Sequence, residues 1–475
     1  MTGPSDERSA AQPPGDTPGG AAPRRIWRDN FEAFTMALVV AVMLKYFVVE
    51  AYKIPSGSMQ PTLMGWNDGR GGGLFDRVLV DKLSYHQRDP ERFEVVVFQF
   101  PLDRSKHFIK RLVGMPGDHL RIQQGDLWLE LPDAQGQLSW QILRRPAGVQ
   151  ETHWFEIEHE GRWNLGVNHS QWQVRGTSLE ITGVGRTSFP GDVEGVKDLA
   201  VHGYPSEILE HMGRPTRAGG QNDVGDLRLG TSIRAHADCT SVRLIIEEGG
   251  QQHILELPGP AAAEDARMLL RSPAHGLEIA LDQDLRLSTD TPTELRFWNL
   301  DDRLGVQWNG ELLLSLDVPA AKRGAALVHL ETVAGGAAFE DISIERDLYY
   351  DQGLRSAWRV PAEHYVMLGD NTVDSADSRA WELASMHSTD SEFEGDISGL
   401  RREGENPTKL LHSEHFDAVV FRDQWGERRS FRSTRVHSST TPAPFVARKF
   451  LRGRALTVFW PWDPINGIYR LHWIR

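Results

Sequence analysis

Three short stretches hold residue types and spacings suited to chemistry. In YKIPSGSMQPTL, Ser58 lies between Gly57 and Met59 and ahead of Pro61. Such a turn can expose a hydroxyl beside its own backbone N–H, although serines in Pro/Gly turns also serve as turn residues and nothing more. In HFIKRLVGMPGD, strand alternation puts Phe108, Lys110 and Leu112 on one face and Ile109, Arg111 and Val113 on the other. A lysine on an apolar face either carries its head out to water or is desolvated, which lowers its pKa. A neutral amine at pH 7 is a general base, able to take the proton of a serine hydroxyl without a histidine. The third stretch, GDNTVDSADSR, sets Ser375 in a turn of hydroxyls and carboxylates, a composition that also serves to satisfy its own backbone.

The rest of the chain must position these groups. A length of 475 residues predicts two or three folded units, and 40% apolar with 25% charged residues is ordinary globular composition. A single cysteine, Cys239, excludes an intrachain disulfide framework and a thiolate metal cluster. The net charge of -14 speaks against a nucleic-acid partner, which needs a concentrated Lys/Arg surface. The 18 histidines show no H-x-x-x-H spacing, so neither a metal nor a cofactor is expected. Residues 1–25, rich in Pro, Gly, Ala and Asp, are expected to be a disordered tail. Within 26–51 the run from Phe31 to Ala51 is apolar and, at about 1.5 Å per residue, matches the ~30 Å of a bilayer core. No small-x-small cleavage site follows it, and Lys45 can snorkel from its outer end. Arg24, Arg25 and Arg28 precede the span and predict a cytoplasmic N-terminus, which sets everything after Ala51 on the outer side.

Beyond the span the sequence predicts a mainly β protein. FDRVLVDKLSY, ERFEVVVFQF and HFIKRLVGM are strand-like runs bounded by turn signals, and 131–360 carries repeated runs such as SVRLIIEE, HILELP and TELRFWNL, the spacing of a β-sandwich. Residues 383–445 are polar and weakly periodic, and are expected to be a partly disordered insertion. The last thirty residues return to strand patterning.

Together VVEAYKIPSGSMQPTL, FDRVLVDKLSY, FIKRLVGMPGD and GDNTVDSADSR, in that order, resemble the type I signal peptidases, membrane-anchored proteases with a Ser/Lys dyad, and GRALTVFWPW looks like that family's last strand. The resemblance covers about 130 residues. It implies a signal-peptidase-type β catalytic domain from 52–130, 361–382 and 446–475, interrupted by the 131–360 sandwich. It assigns Ser58 as nucleophile and Lys110 as general base. Ser56 and the Ser58 N–H would form the oxyanion hole, Ser375 would hold the lysine amine, and Asp377 with Arg379 would support it as an ion pair. Tyr52, Ile54, Pro55 and Ile109 would line shallow apolar pockets that select Ala-x-Ala. Its partners would be signal-peptide-bearing preproteins and the lipid bilayer, in a bacterial inner membrane with the catalytic domain on the periplasmic side. Where the family usually has Asn before the Ser375 position this chain has Asp374, and a carboxylate near Lys110 would favour its charged form.

The insert's RFWNLDDRLGVQWNGELLLSLD resembles concanavalin-like jelly-roll sandwiches, through a hairpin around Asn309-Gly310 that also occurs widely in β proteins. Trp298 and Trp308 read as core residues rather than sugar platforms. A glycan or protein ligand of the insert stays open. The rival to a peptidase is a membrane-tethered binding module, carbohydrate-binding by this likeness, on an inactive peptidase scaffold.

Overall fold

Residues 95–99, VVVFQ, are apolar on both sides of the strand pleat, and both sides are buried. Val95 and Val97 enter one core with Ile54, Met59, Leu63, Val78, Val80 and Val458. Val96 and Phe98 enter another with Phe100, Leu112, Met367 and Trp381. A strand with two apolar faces can sit only inside a sheet covered on both sides. In the computed structural model it does so within an eight-stranded sheet. The strand order is Val49–Lys53, Arg77–Asp81, Leu451–Trp460, Val95–Gln99, His107–Gly114, His364–Leu368 and Phe445–Ala447, with His472–Trp473 paired to Leu451–Trp460. The structure describes residues 23–475 except 68–72, 168, 192–193, 201, 213–219, 282–284, 321–323, 354, 389–391, 397–408, 413–416, 433–435 and 464–467. The tail expected over 1–25 thus falls almost wholly outside the described residues.

The N-terminal unit, 1–50, holds one apolar helix, Pro23–Met43, ending in a π-turn, Leu44–Val48. Its segment Trp27–Val48, 22 residues, is long and apolar enough to cross a membrane.

In the second unit, 51–475, the chain leaves the large sheet after His107–Gly114 and forms a four-stranded sheet ordered Ala357–Arg359, His119–Gln123, Asp126–Pro132, Leu138–Ile142. Ala357–Arg359 pairs with His119–Gln123, so the excursion between them starts and ends on neighbouring strands. Inside that excursion two antiparallel sheets pack face to face. One is built on Ala337–Arg346, Leu227–Ala235 and Thr293–Leu300, the other on Ala326–Ala334, Ser241–Glu248 and Gln251–Pro258. Their inner faces contribute alternate residues to one core: Leu227, Leu229, Phe297, Phe339 and Ile344 from the first, Val242, Leu244, Ile246, Leu255 and Leu330 from the second. The hairpin predicted at Asn309-Gly310 is present, with φ of 49° and 84°, a backbone that Asn and Gly adopt readily. Trp308 packs against this core, and Trp298 lies over Gly305 on the neighbouring strand. In 383–445 the described residues include two three-stranded sheets, Glu392–Asp396 with Glu382–Ser388 and Val436–Pro442, and Lys409–His412 with Asp417–Arg422 and Arg428–Arg432.

Where the four-stranded sheet meets the sandwich, carboxylate oxygens of Asp126, Asp226 and Asp301 lie within 4.8 Å of one another. Burial, reinforced by mutual repulsion and by Asp347, pushes the carboxyls of Asp126 and Asp226 well above the usual range and that of Asp301 to about 7. Groups whose pKa rises on folding stabilise the fold fully below about pH 4 and lose that contribution as pH climbs through the folded value. Asp301→Asn removes one charge and tolerates the left-handed backbone there, φ 51°. It is expected to raise the thermal midpoint at pH 8 and leave it within a degree or two at pH 4. A lower midpoint at pH 8, read by calorimetry, would show that the charged carboxylate is stabilising.

Candidate functional site

Lys110 stands opposite Val96 in the sheet register, on the strand His107–Gly114. It is 3% exposed, and Phe108, two residues earlier on the same face, sets its ring centroid 5.7 Å from the amine. Lys110 Nζ and Ser58 Oγ are hydrogen-bonded, and Ser58 is itself buried. An ammonium would donate to the hydroxyl oxygen, whereas a neutral amine would accept the hydroxyl proton. Burial lowers the lysine pKa from its ordinary 10.5 to about 8, against the pull of Asp377 and Asp370 and with help from Arg379. The carboxylates whose field reaches the amine are therefore Asp377 and Asp370. Asp374 is exposed at the end of the short turn Thr372–Asp374.

Both of those carboxylates are locked to a guanidinium. Arg379 holds Asp377 through two bonds of 2.8 and 2.6 Å, and the Gly369 N–H donates to the same carboxylate at 2.9 Å. Arg111 holds Asp370 through bonds of 2.8 and 2.7 Å, both side chains being fully buried. Arg111 also donates to the carbonyls of Phe93 and Arg475 at 2.8 and 2.9 Å. Burial alone would raise Asp370, but the Arg111 charge and its hydrogen bonds outweigh that and bring the carboxyl down to about 2. Asp370 accepts one more bond, from the Thr62 hydroxyl at 2.6 Å.

The turn carrying Ser58 is tied down from both directions. Leu63 N–H donates to Met59 O at 2.8 Å and Gln60 N–H to Gly57 O at 3.0 Å. From the strand end at Leu368, Asn371 N–H reaches Ser58 O at 3.2 Å and its side-chain amide reaches Gly57 O at 3.0 Å. Gly369 is required here, since a β-carbon would come within 2.1 Å of Ser375 Oγ and 2.4 Å of Ser58 O.

Of the residues singled out in the sequence, the structure brings Ser58, Lys110, Ser375, Asp377 and Arg379 into one neighbourhood. Ser375 Oγ is buried and makes no hydrogen bond among the described residues, to Lys110 or to any other group. Ser56 is exposed, its backbone packed against Gly65. Ile54 lies inside the core, Tyr52 and Ile109 are half-buried at its margin, and Pro55 is exposed. Sequence reasoning missed Arg111, Asp370, Asn371 and Thr62. Arg111 could have been noticed as a second cation in an apolar strand; Thr62 gave no signal.

The family whose model matches is signal peptidase, peptidase S26, over residues 27–150, so this part of the chain carries an S26 domain. The probable signal peptidase I-2 of Synechocystis sp. is 39% identical over 113 residues, 22% of this chain and 47% of the relative. Signal peptidase I of Pseudomonas aeruginosa is 36% identical over 166 residues, 29% of this chain and 55% of the relative. The chain thus spans about half the length of these relatives. Among solved structures it is similar to the carbohydrate binding module CBM66 from Bacillus subtilis, at 9% identity and a TM-score of 0.25 over 39% of this chain and 95% of that one. The Bacillus licheniformis beta-glucanase is similar at 8% identity and a TM-score of 0.26, over 41% and 98%. Likeness at that level decides nothing about a ligand.

Removing one partner of a fully buried ion pair strands the other charge, a loss of about 3–5 kcal/mol. Asp370→Ala is expected to destabilise the protein by that amount in urea unfolding. A change below about 1 kcal/mol would mean that Arg111 finds another partner.

Proposed function

We propose that this chain is a membrane-anchored serine endopeptidase of the signal peptidase I type, removing N-terminal signal peptides from exported preproteins after Ala-x-Ala-like sites. The observation that carries this reading is the hydrogen bond between Ser58 and a lysine amine that burial brings to about 8. About one amine in ten is then neutral at pH 7, against fewer than one in a thousand for an unperturbed lysine. The neutral amine takes the Ser58 proton as Oγ attacks the scissile carbonyl. The Ser58 N–H and the Ser56 hydroxyl donate to the developing oxyanion, which weights stabilisation toward the transition state. The protonated Lys110 passes its proton to the leaving amine. It then serves again as base for the water that hydrolyses the Ser58 ester.

Substrate selection would rest on the margin of the core formed by Tyr52 and Ile109, with Ile54 behind it and Pro55 at its rim. These apolar walls suit small side chains, and an extended peptide would join as an added strand. Ser375 Oγ lies beside Gly369 without a bond to Lys110, so a role in directing the amine at Ser58 would require a hydrogen bond formed during the reaction. The bilayer as partner is supported by the apolar helix and by exposed Trp460, Tyr469 and Trp473 on the closing strands, amphipathic rings of the kind that settle at a lipid interface.

Ser58→Ala and Lys110→Met are each expected to lower kcat/KM on an Ala-x-Ala precursor in detergent by at least about a thousandfold. In the parent, kcat/KM should climb with pH through a midpoint near 8, because activity follows the neutral amine. Cleavage by both variants at the parental rate would end the proposal, and a midpoint near 10 would remove its base.

A further inference from the structure

Residues 203–212 leave the sandwich between the strands Gly185–Phe189 and Leu227–Ala235 and do not pack on it alone. Ile208, on helix Ser206–Met212, is buried with Met64, Leu74 and Ile468, while Tyr204, Met212 and Trp66 close around them. His211 meets the Trp66 ring edge-on at 6.3 Å. Met64 and Trp66 follow the Ser58 turn within a few residues, so this excursion rests on the segment that carries the serine.

Among the described residues a polar contact joins the two. The Tyr204 hydroxyl donates to the side-chain oxygen of Gln60. Gln60 is 7% exposed, and its amide nitrogen donates to Gly65 O at 3.2 Å. Its side-chain oxygen lies so close to Gly57 that a β-carbon there would come within 2.8 Å. The Gln60 side chain therefore spans the turn from Gly57 to Gly65 with Ser58 inside the span, and Tyr204 fixes the end nearest the serine. On the opposite flank Asn371 grips the carbonyls of Gly57 and Ser58. Without the phenol, the buried amide oxygen would lose a donor, and Gln60 would gain rotamers that let the turn shift.

We propose that Tyr204, supplied by the inserted sandwich, is a positioning residue for Ser58: acting through Gln60, it holds the serine hydroxyl against Lys110, so the insert is a working part of the peptidase site. This rests on the Ser58/Lys110 reading. Displacements well under an ångström are costly when two reacting groups must stay in hydrogen-bond contact. A shift of the turn also opens the apolar enclosure of the amine, which faces the charges of Asp377, Asp370 and Arg379.

The test uses the full chain in detergent. Tyr204→Phe deletes only the hydroxyl and should lower kcat about 3- to 10-fold with KM within twofold, the range one hydrogen bond covers. The midpoint of the pH–kcat profile should move upward, and the thermal midpoint should stay within about 2 °C. Gln60→Met should have a similar effect, and Tyr204→Phe added to it should cost nothing more. Lys110 reactivity toward acetic anhydride, followed against pH by mass spectrometry, reads the same upward move without relying on cleavage. If the parent cleaves no precursor but the labelling midpoint shifts in Tyr204→Phe, the peptidase reading fails while the positioning contact stands. Parental kcat and labelling midpoint in Tyr204→Phe, or additive losses in the double variant, would overturn the proposal.

Discussion

The site depends on keeping an amine dry beside two carboxylates. Asp377 and Asp370 both act on Lys110, and either one unneutralised would favour the ammonium form. Each is instead clasped by its own guanidinium, Asp377 by Arg379 and Asp370 by Arg111. Arg379 offsets part of the carboxylate field at the amine, and the desolvation supplied by the strand and the Ser58 turn prevails. Much of the surrounding architecture serves this one condition. Phe108 covers the amine on its own face, Val96 stands across the register, and the clamp by Asn371 keeps the serine turn closed over it.

Strand geometry lets neighbouring residues do opposite jobs. Lys110 and Arg111 are adjacent cations on one strand, and the pleat sends their side chains to different faces. Lys110 meets a hydroxyl and apolar walls, and Arg111 meets a carboxylate and two carbonyls. Burial brings the first to about 8, so that a minority of it is neutral at pH 7, whereas every partner of the second is an acceptor. Residues 119–142 and 357–359 join the strand of Lys110 to the large excursion, which touches the serine segment again through Tyr204. Because the chain departs and returns on paired strands, the long segment between them closes without pulling on the strands that carry the lysine.

Much of this frame was legible in the sequence, because continuous apolar strands and Asn-Gly turns are local signals. The runs around 77–81, 95–99 and 107–114 form strands as their patterns demand, and the Asn309-Gly310 hairpin follows from backbone preference alone. Lys110 on the same face as Phe108 and Leu112 is likewise period-two arithmetic. What stayed hidden is long-range. Asp370 and Arg111 are 259 residues apart, and nothing near either one names the other. Asp374 looked from its place in the motif like the carboxylate that would disturb Lys110, yet the short turn it ends leaves it exposed, and Asp370 and Asp377 act instead. Burial, which lowers the Lys110 pKa, belongs to the packed chain and to no stretch of it.

A lysine proposed as base works only within a window, and the ion pairs help set where this amine sits. Deeper desolvation, with neutral residues in place of Asp370 and Asp377, would release the proton more completely at pH 7. It would also leave a weaker acceptor, because basicity falls with pKa. A pKa held near 10 would give a strong acceptor that is almost never free. The opposing action of burial on one side and two tethered carboxylates on the other brings the amine to about 8, where a usable fraction is neutral and proton affinity is still high. The carboxylates are thus not a flaw that the guanidinium groups conceal. They limit how far burial can depress the amine, and Arg379 limits how far the carboxylates can raise it.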